Sequence, residues 1–162
     1  MESTVRAQPE AAQALNRWSA RVHWQDGFNA RAFIRNHALD LSEPADLAGN
    51  DVAPNAVEYV LAALGACLTV GFVFNATRRG IRLRNLELAL DGELDNILVF
   101  LGLDRSGHPG YRQIKVKAYV DADADEATIQ EVWAETVQTS PVGNTLARPV
   151  AVETELVRVP TV

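Results

Sequence analysis

The chain has 162 residues, 48% of them hydrophobic, a normal length for one domain with enough apolar material for a substantial core, which excludes disorder throughout. Fifteen basic residues against 21 acidic give a net charge of −6, and no Lys/Arg cluster is placed to track a phosphate backbone, so nucleic acid is not an expected partner. The single cysteine, Cys67, excludes a disulfide within the chain, and MESTVRAQPEAAQALN lacks the basic-then-apolar order of a secretory signal; a cytoplasmic protein is expected.

Residues 1–18 read as an extension expected to be mobile, and 19–162 as one domain. From Ser19 to Ser42 the pattern is that of β-structure. Val22 and Trp24 alternate with polar neighbours, Asp26 and Gly27 supply a turn, and Phe28, Ala30, Ala32 and Ile34 recur at every second position. A hairpin with a third strand is predicted. The segment 42–54, SEPADLAGNDVAP, is loop chemistry.

A long helix is predicted from Pro54 to Arg79, with Asn50 or Asp51 as its cap, Pro54 in the first turn and Gly80 as its stop. Tyr59 to Thr77 would just reach across a bilayer, which takes roughly 20 residues. The small residues Ala62, Ala63, Gly65, Ala66 and Gly71, together with amphipathic strands on both sides, favour a central buried helix instead, and no membrane partner is expected.

After Gly80, LRNLELALDGEL places Leu83, Leu86, Leu88 and Leu90 on a half-buried strand ending near Asp91 and Gly92. NILVFLGL is a short apolar piece before a polar loop at 104–110. YRQIKVKAYVDAD then alternates strictly through Ile114, Val116, Ala118 and Val120. DEATIQEVWAETVQTS has helical spacing through Ile129, Val132, Trp133, Thr136 and Val137, capped by Asp123 or Asp125 and bounded by Pro141. PVGNTLA forms a turn or short helix, and PVAVETELVRV a last strand. The order β-β-β-α-β-β-α-β is an α+β fold with no internal repeat.

Cys67 is the natural nucleophile to weigh. Its helical neighbours Ala63, Leu64, Val70 and Gly71 are apolar, and such surroundings disfavour a charged thiolate. It is therefore either an inert core residue or a reagent that needs Arg35, His37 or a group from another subunit. His23, His37 and His108 match no metal spacing, so neither a metal nor a cofactor is expected. Ser140 stands in no nucleophile elbow and reads as a helix-end residue. Tyr59, Trp24, Trp133, Phe72 and Phe74 suit either a core or the wall of an apolar pocket.

The stretches APNAVEYVLAALGACL, GIRLRNLELALDGEL and TSPVGNTL resemble the family of osmotically inducible protein C and organic hydroperoxide resistance proteins, over roughly residues 20–159. The resemblance implies an OsmC-like fold in an intertwined homodimer, with sites at the subunit interface. It further implies a thiol-dependent peroxidase for organic hydroperoxides, reduced by an external thiol, in which Cys67 attacks the peroxide. Arg35 is the best match for the family's thiolate-stabilising arginine, with Arg31 in reserve. His37, Tyr59 and Phe72 are the residues expected at the substrate.

Two departures qualify that implication. The family's second cysteine precedes a Pro-Val pair, and here Ser140 occupies the position, so no internal disulfide can resolve an oxidised Cys67. In the hydroperoxide-resistance branch the glutamate lies ten positions before the cysteine, which here is Val57; Glu58 lies nine before. At about 100° per residue, nine positions point it roughly 180° away from the sulfur. Glu58 thus stands either as a member of the catalytic set or as a first-turn carboxylate that favours the helix dipole. The alternative function is a degenerate scaffold that binds an apolar small molecule or senses oxidants stoichiometrically.

Overall fold

The structure is a computed structural model and describes residues 16–160. The expected extension at 1–18 lies largely outside those residues. Two compact units are formed, one ending at Tyr59 and the other beginning at Val60, so that the boundary falls inside one continuous helix.

The first unit carries an antiparallel sheet of β1 (Arg21–Asp26), β2 (Asn29–Ile34) and β3 (His37–Leu41) in the order β1-β2-β3. Gly27 takes a φ of 45° in the first turn, the left-handed conformation that a glycine reaches without cost, and the Trp24 indole N–H donates to its carbonyl. The alternation is legible in the register, with Val22 opposite Ala32 and Trp24 opposite Ala30. Only Ala32 of this set is buried within the chain, however; Val22, Trp24 and Phe28 stay open to solvent.

The long helix α1 runs Ala56–Arg78, two residues later at its start than the pattern suggested. Its cap is neither Asn50 nor Asp51. Asn55 Oδ1 accepts the Glu58 amide at 3.0 Å while Glu58 Oε2 accepts the Asn55 amide at 2.8 Å, a reciprocal box that satisfies two otherwise orphaned donors. Pro54 therefore lies outside the helix, because the asparagine after it can serve both strands of the box.

The second unit holds a two-stranded antiparallel sheet, β4 (Leu83–Leu94) and β5 (Tyr111–Ala122), joined through the short helix α2 (Ile97–Phe100). β4 runs past Asp91 and Gly92 rather than ending there. Gly92 lies opposite Ile114 and faces the Tyr111 ring and Leu61 closely, so the strand continues where a larger residue would collide. Leu86, Leu88 and Leu90 pair with Val120, Ala118 and Val116. Helix α3 (Glu126–Thr139) is capped by Asp125, whose carboxylate accepts the Thr128 amide, and α4 (Pro141–Ala147) follows one residue later.

The core of this unit grows from α1. Leu64, Leu68, Phe72 and Ala76, spaced by four, are its buried stripe. Phe72, Ala76 and Val132 pack against Ile81, Leu83, Leu86, Val120, Ile129 and Trp133. Burial of a side chain such as Phe72 contributes about 1.5–3 kcal/mol. The helix is long and apolar enough by composition to cross a membrane, and its buried stripe packs on strands and a second helix.

Two expectations are corrected. Within the chain α1 is buried on one face only: Ala62, Ala63, Ala66, Val70, Val73 and Phe74 are exposed, Val70 at 68%. The last strand, PVAVETELVRV, does not form, and residues 149–160 have no regular secondary structure and are exposed, Leu156 at 97%. Its alternation is real, but a strand needs a neighbour to supply the other half of its hydrogen bonds, and none of the described segments does so.

One polar contact is built into the buried interface of α1 and α3. Asn75 Nδ2 donates at 3.2 Å to Thr136 Oγ1, which itself donates to the Val132 carbonyl. Replacing Thr136 by valine keeps the volume and strands the amide, so a loss of about 1–3 kcal/mol is expected from urea unfolding. The loop between α2 and β5 is tied by Asp104. Hydrogen bonds from Ser106 Oγ, Asn96 Nδ2 and the Ser106 and Arg105 amides lower its pKa from 3.8 to about 2. A depressed carboxylate stabilises the fold above its unfolded value and loses that contribution as pH falls through the folded one. A carbon-detected NMR titration is expected to give Asp104 a midpoint near 2 and to show the Asn96 and Ser106 signals shifting with it.

Candidate functional site

Cys67 sits in the middle of α1, one residue before Leu68 of the buried stripe, and is itself half-buried. The residue that meets it is Ser140, at 3% exposure. Proline at 141 disfavours helical backbone at the residue before it, so α3 stops and Ser140 adopts an extended φ of −65° and ψ of 117°. The same proline is tolerated in the first turn of α4, where no amide hydrogen is required. One residue therefore closes one helix and opens the next.

That junction orients the hydroxyl. The Gly143 amide donates to Ser140 Oγ at 3.1 Å, and Oγ donates to Cys67 Sγ at 3.2 Å. The Ser140 carbonyl accepts the Asn144 amide at 2.9 Å and the Asn144 side-chain N–H at 2.8 Å. A methyl group on residue 143 would stand 3.1 Å from Ser140 Oγ, tighter than ordinary packing, so glycine there lets the amide reach the hydroxyl.

Beside this pair lies a cavity of about 390 Å³, lined among others by Leu64 and Leu68 of α1, Ile114 and Val116 of β5, Trp133 of α3 and Asn144 of α4. Leu64 and Leu68 flank Cys67 on the helix, and Gly143 of the same wall carries the amide that holds Ser140. Cys67 and Ser140 do not line this cavity themselves; they adjoin it through Leu64, Leu68 and Gly143, so a hydroxyl donor and a largely apolar groove lie close to one thiol. Such a setting suits attack on a polar bond attached to an apolar body.

The remaining candidates are distributed as follows. Arg35 occupies the turn between β2 and β3 with φ of 55°, is exposed, and makes no ion pair or hydrogen bond among the described residues. Arg31 is committed: its guanidinium donates to both Asp40 carboxylate oxygens, at 2.6 and 3.1 Å, and that pairing lowers the Asp40 pKa and raises that of Arg31. Glu58 is engaged in the capping box. Tyr59 donates its hydroxyl to the Asp40 carbonyl at 2.9 Å, and His37 is the exposed first residue of β3. Phe72, expected at the substrate, is instead fully buried at 0% exposure, 6.4 Å from the Trp133 ring, because its place on the α1 stripe turns it into the core.

Two members of the site carried little sequence signal. Gly143 and Asn144 were unmarked in the sequence, although a serine before a proline with glycine three residues on is the pattern of a capping turn. The contact between residues 67 and 140 joins two distant helices and has no local pattern at all.

The family model of OsmC-like proteins matches residues 48–155. Among solved structures, an OsmC-like protein from Mycoplasma pneumoniae aligns with a TM-score of 0.70 at 16% identity, covering 81% of this chain and 87% of its own. An OsmC-like protein of unknown function from Vibrio cholerae gives 0.67 at 11%, with 80% and 92% covered. An organic hydroperoxide resistance protein from Legionella pneumophila gives 0.61 at 18%, with 80% and 88% covered. No curated protein matches. At these identities the structural likeness establishes the fold.

Because Ser140 is both cap and neighbour of the sulfur, a cysteine placed there would face Cys67 across the junction. The Ser140→Cys variant is expected to close an internal disulfide on mild oxidation, read as protection of both thiols from a maleimide and recovery of both after reduction. Both thiols remaining free would contradict the juxtaposition.

Proposed function

The chain belongs to the OsmC-like protein family, and from that premise we propose that it is a redox protein of the stress-response kind, a one-cysteine, thiol-dependent peroxidase for organic hydroperoxides. The observation that carries the reading is the Cys67 sulfur held 3.2 Å from a buried hydroxyl beside a largely apolar cavity. Support also comes from the hydroperoxide-resistance protein named among the structural neighbours.

In this reading the Cys67 thiolate attacks the outer peroxide oxygen. An S–O bond forms as the O–O bond breaks, and the departing alkoxide takes a proton to leave as the alcohol. The sulfenic acid on Cys67 is then attacked by an external thiol, which forms a mixed disulfide and expels water; a second thiol frees Cys67 and departs as a disulfide. Arg35 is proposed as the cation that favours the thiolate, on the ground that its guanidinium is unengaged among the described residues whereas Arg31 is paired. Glu58 is proposed to serve the helix start through its capping box rather than the peroxide.

A homodimer is part of the proposal. The open apolar face of α1 and the unpaired 149–160 segment are surfaces that a second copy would cover. A reducing, cytoplasmic setting is also proposed, since a single thiol with no intrachain partner suits such a compartment. The absence of a second cysteine favours one further reading, a stoichiometric oxidant sensor on the same scaffold.

Purified full-length protein supplied with dithiothreitol is expected to consume cumene hydroperoxide over many turnovers, and Cys67→Ser to reduce that to the uncatalysed rate. Equal turnover by the variant would end the proposal. A single stoichiometric oxidation of Cys67 that dithiothreitol does not reverse would select the sensor.

A further inference from the structure

We infer that the Ser140 hydroxyl is the hydrogen-bond donor that holds the Cys67 sulfur in its attacking form, so that the position opposite the nucleophile serves to donate a proton contact instead of supplying a second thiol. The inference rests on the proposed peroxidase reading for its purpose, and on local geometry for its substance.

Serine has one hydrogen and two lone pairs. One lone pair of Ser140 Oγ is taken by the Gly143 amide at 3.1 Å, and Cys67 Sγ is the acceptor within reach of the hydrogen, at 3.2 Å. Were the thiol to donate instead, the serine hydrogen would be left without an acceptor at a site only 3% exposed, which is costly. Donation to sulfur is thus the arrangement that gives both the amide and the hydroxyl hydrogen a partner. A donor aimed at sulfur interacts more strongly with the anionic thiolate than with the neutral thiol, since a charged acceptor strengthens the contact. The apolar flank of Leu64 and Leu68 supplies no competing donor and raises the weight of the one present. Ser140 is thus a group touching the reacting atom, and its hydroxyl acts on the nucleophile's reactivity as well as on the fold.

Its cap duty must be separated from this role. Ser140→Ala removes both, so the decisive comparison is the isosteric pair Ser140→Thr, which keeps the hydroxyl, and Ser140→Val, which replaces it with a methyl; the extended backbone at 140 suits either. In the full-length protein at pH 7, the rate of Cys67 alkylation by iodoacetamide, followed by intact mass, is expected to fall about tenfold in Ser140→Ala and Ser140→Val and to stay within about twofold of wild type in Ser140→Thr. The rate of oxidation by cumene hydroperoxide is expected to follow the same order. A purely structural serine would lower the thermal midpoint of the variants without separating threonine from valine in labelling rate, and that result overturns the inference. Iodoacetamide requires no peroxide chemistry. A wild type that labels as described but fails to react with hydroperoxide would sink the peroxidase reading while leaving Ser140 as the donor.

Discussion

Burial of one stripe of a single apolar helix is the constraint on which the second unit depends. α1 offers Leu64, Leu68, Phe72 and Ala76 at a spacing of four, and β4, β5 and α3 supply the side chains packed on the Phe72 and Ala76 end of that stripe. The paired leucines of β4 and alternating residues of β5 form a half-buried face, and α3 contributes Val132 and Trp133. Glycine at 65 and 71 lets neighbours approach: a methyl at 65 would come within 2.9 Å of Leu90, and one at 71 within 3.2 Å of Thr136. The close approach at 71 is what brings α3 near enough for Asn75 to reach Thr136.

The same closeness decides what stands opposite Cys67. α3 meets α1 at Thr136 and ends at Thr139, so the residue that breaks the helix is delivered beside the sulfur. Pro141 forces the break, and Ser140 satisfies the amide that the break exposes. A hydroxyl aimed at a thiol is therefore a by-product of ending one helix and starting another without leaving a donor unpaired. One side chain thus serves the helix junction and also touches the sulfur.

Much of this architecture was legible in the sequence wherever a period was sustained. The strands through Ile114, Val116, Ala118 and Val120, the turn at Asp26-Gly27, and the helix across 126–139 follow from alternation, turn chemistry and capping. α1 starts two residues later than the pattern suggests because several polar residues in 50–55 can cap, and the fold selects Asn55 with Glu58 as the reciprocal pair. The final strand failed for a deeper reason. Alternation in 149–159 states that one face wants burial, while the partner that would bury it is not specified by that segment's own residues. The Cys67–Ser140 contact, 73 positions apart, is likewise a product of packing, and the family resemblance pointed to the pair where no local pattern could.

A hydroxyl at 140 bears differently on fold and on chemistry. A serine is a better helix cap than most residues, and its hydroxyl accepts the Gly143 amide, so the α3–α4 junction is kept. What a serine cannot supply is a sulfur to accept the oxidising equivalent from Cys67, so any oxidised state of the lone thiol has to be discharged by a molecule from outside the chain. The neighbouring cavity, walled by Leu64, Leu68 and Trp133, is largely apolar, and Cys67 itself is half-buried. The junction therefore keeps its cap in full while the chain holds no second sulfur for Cys67 to pair with.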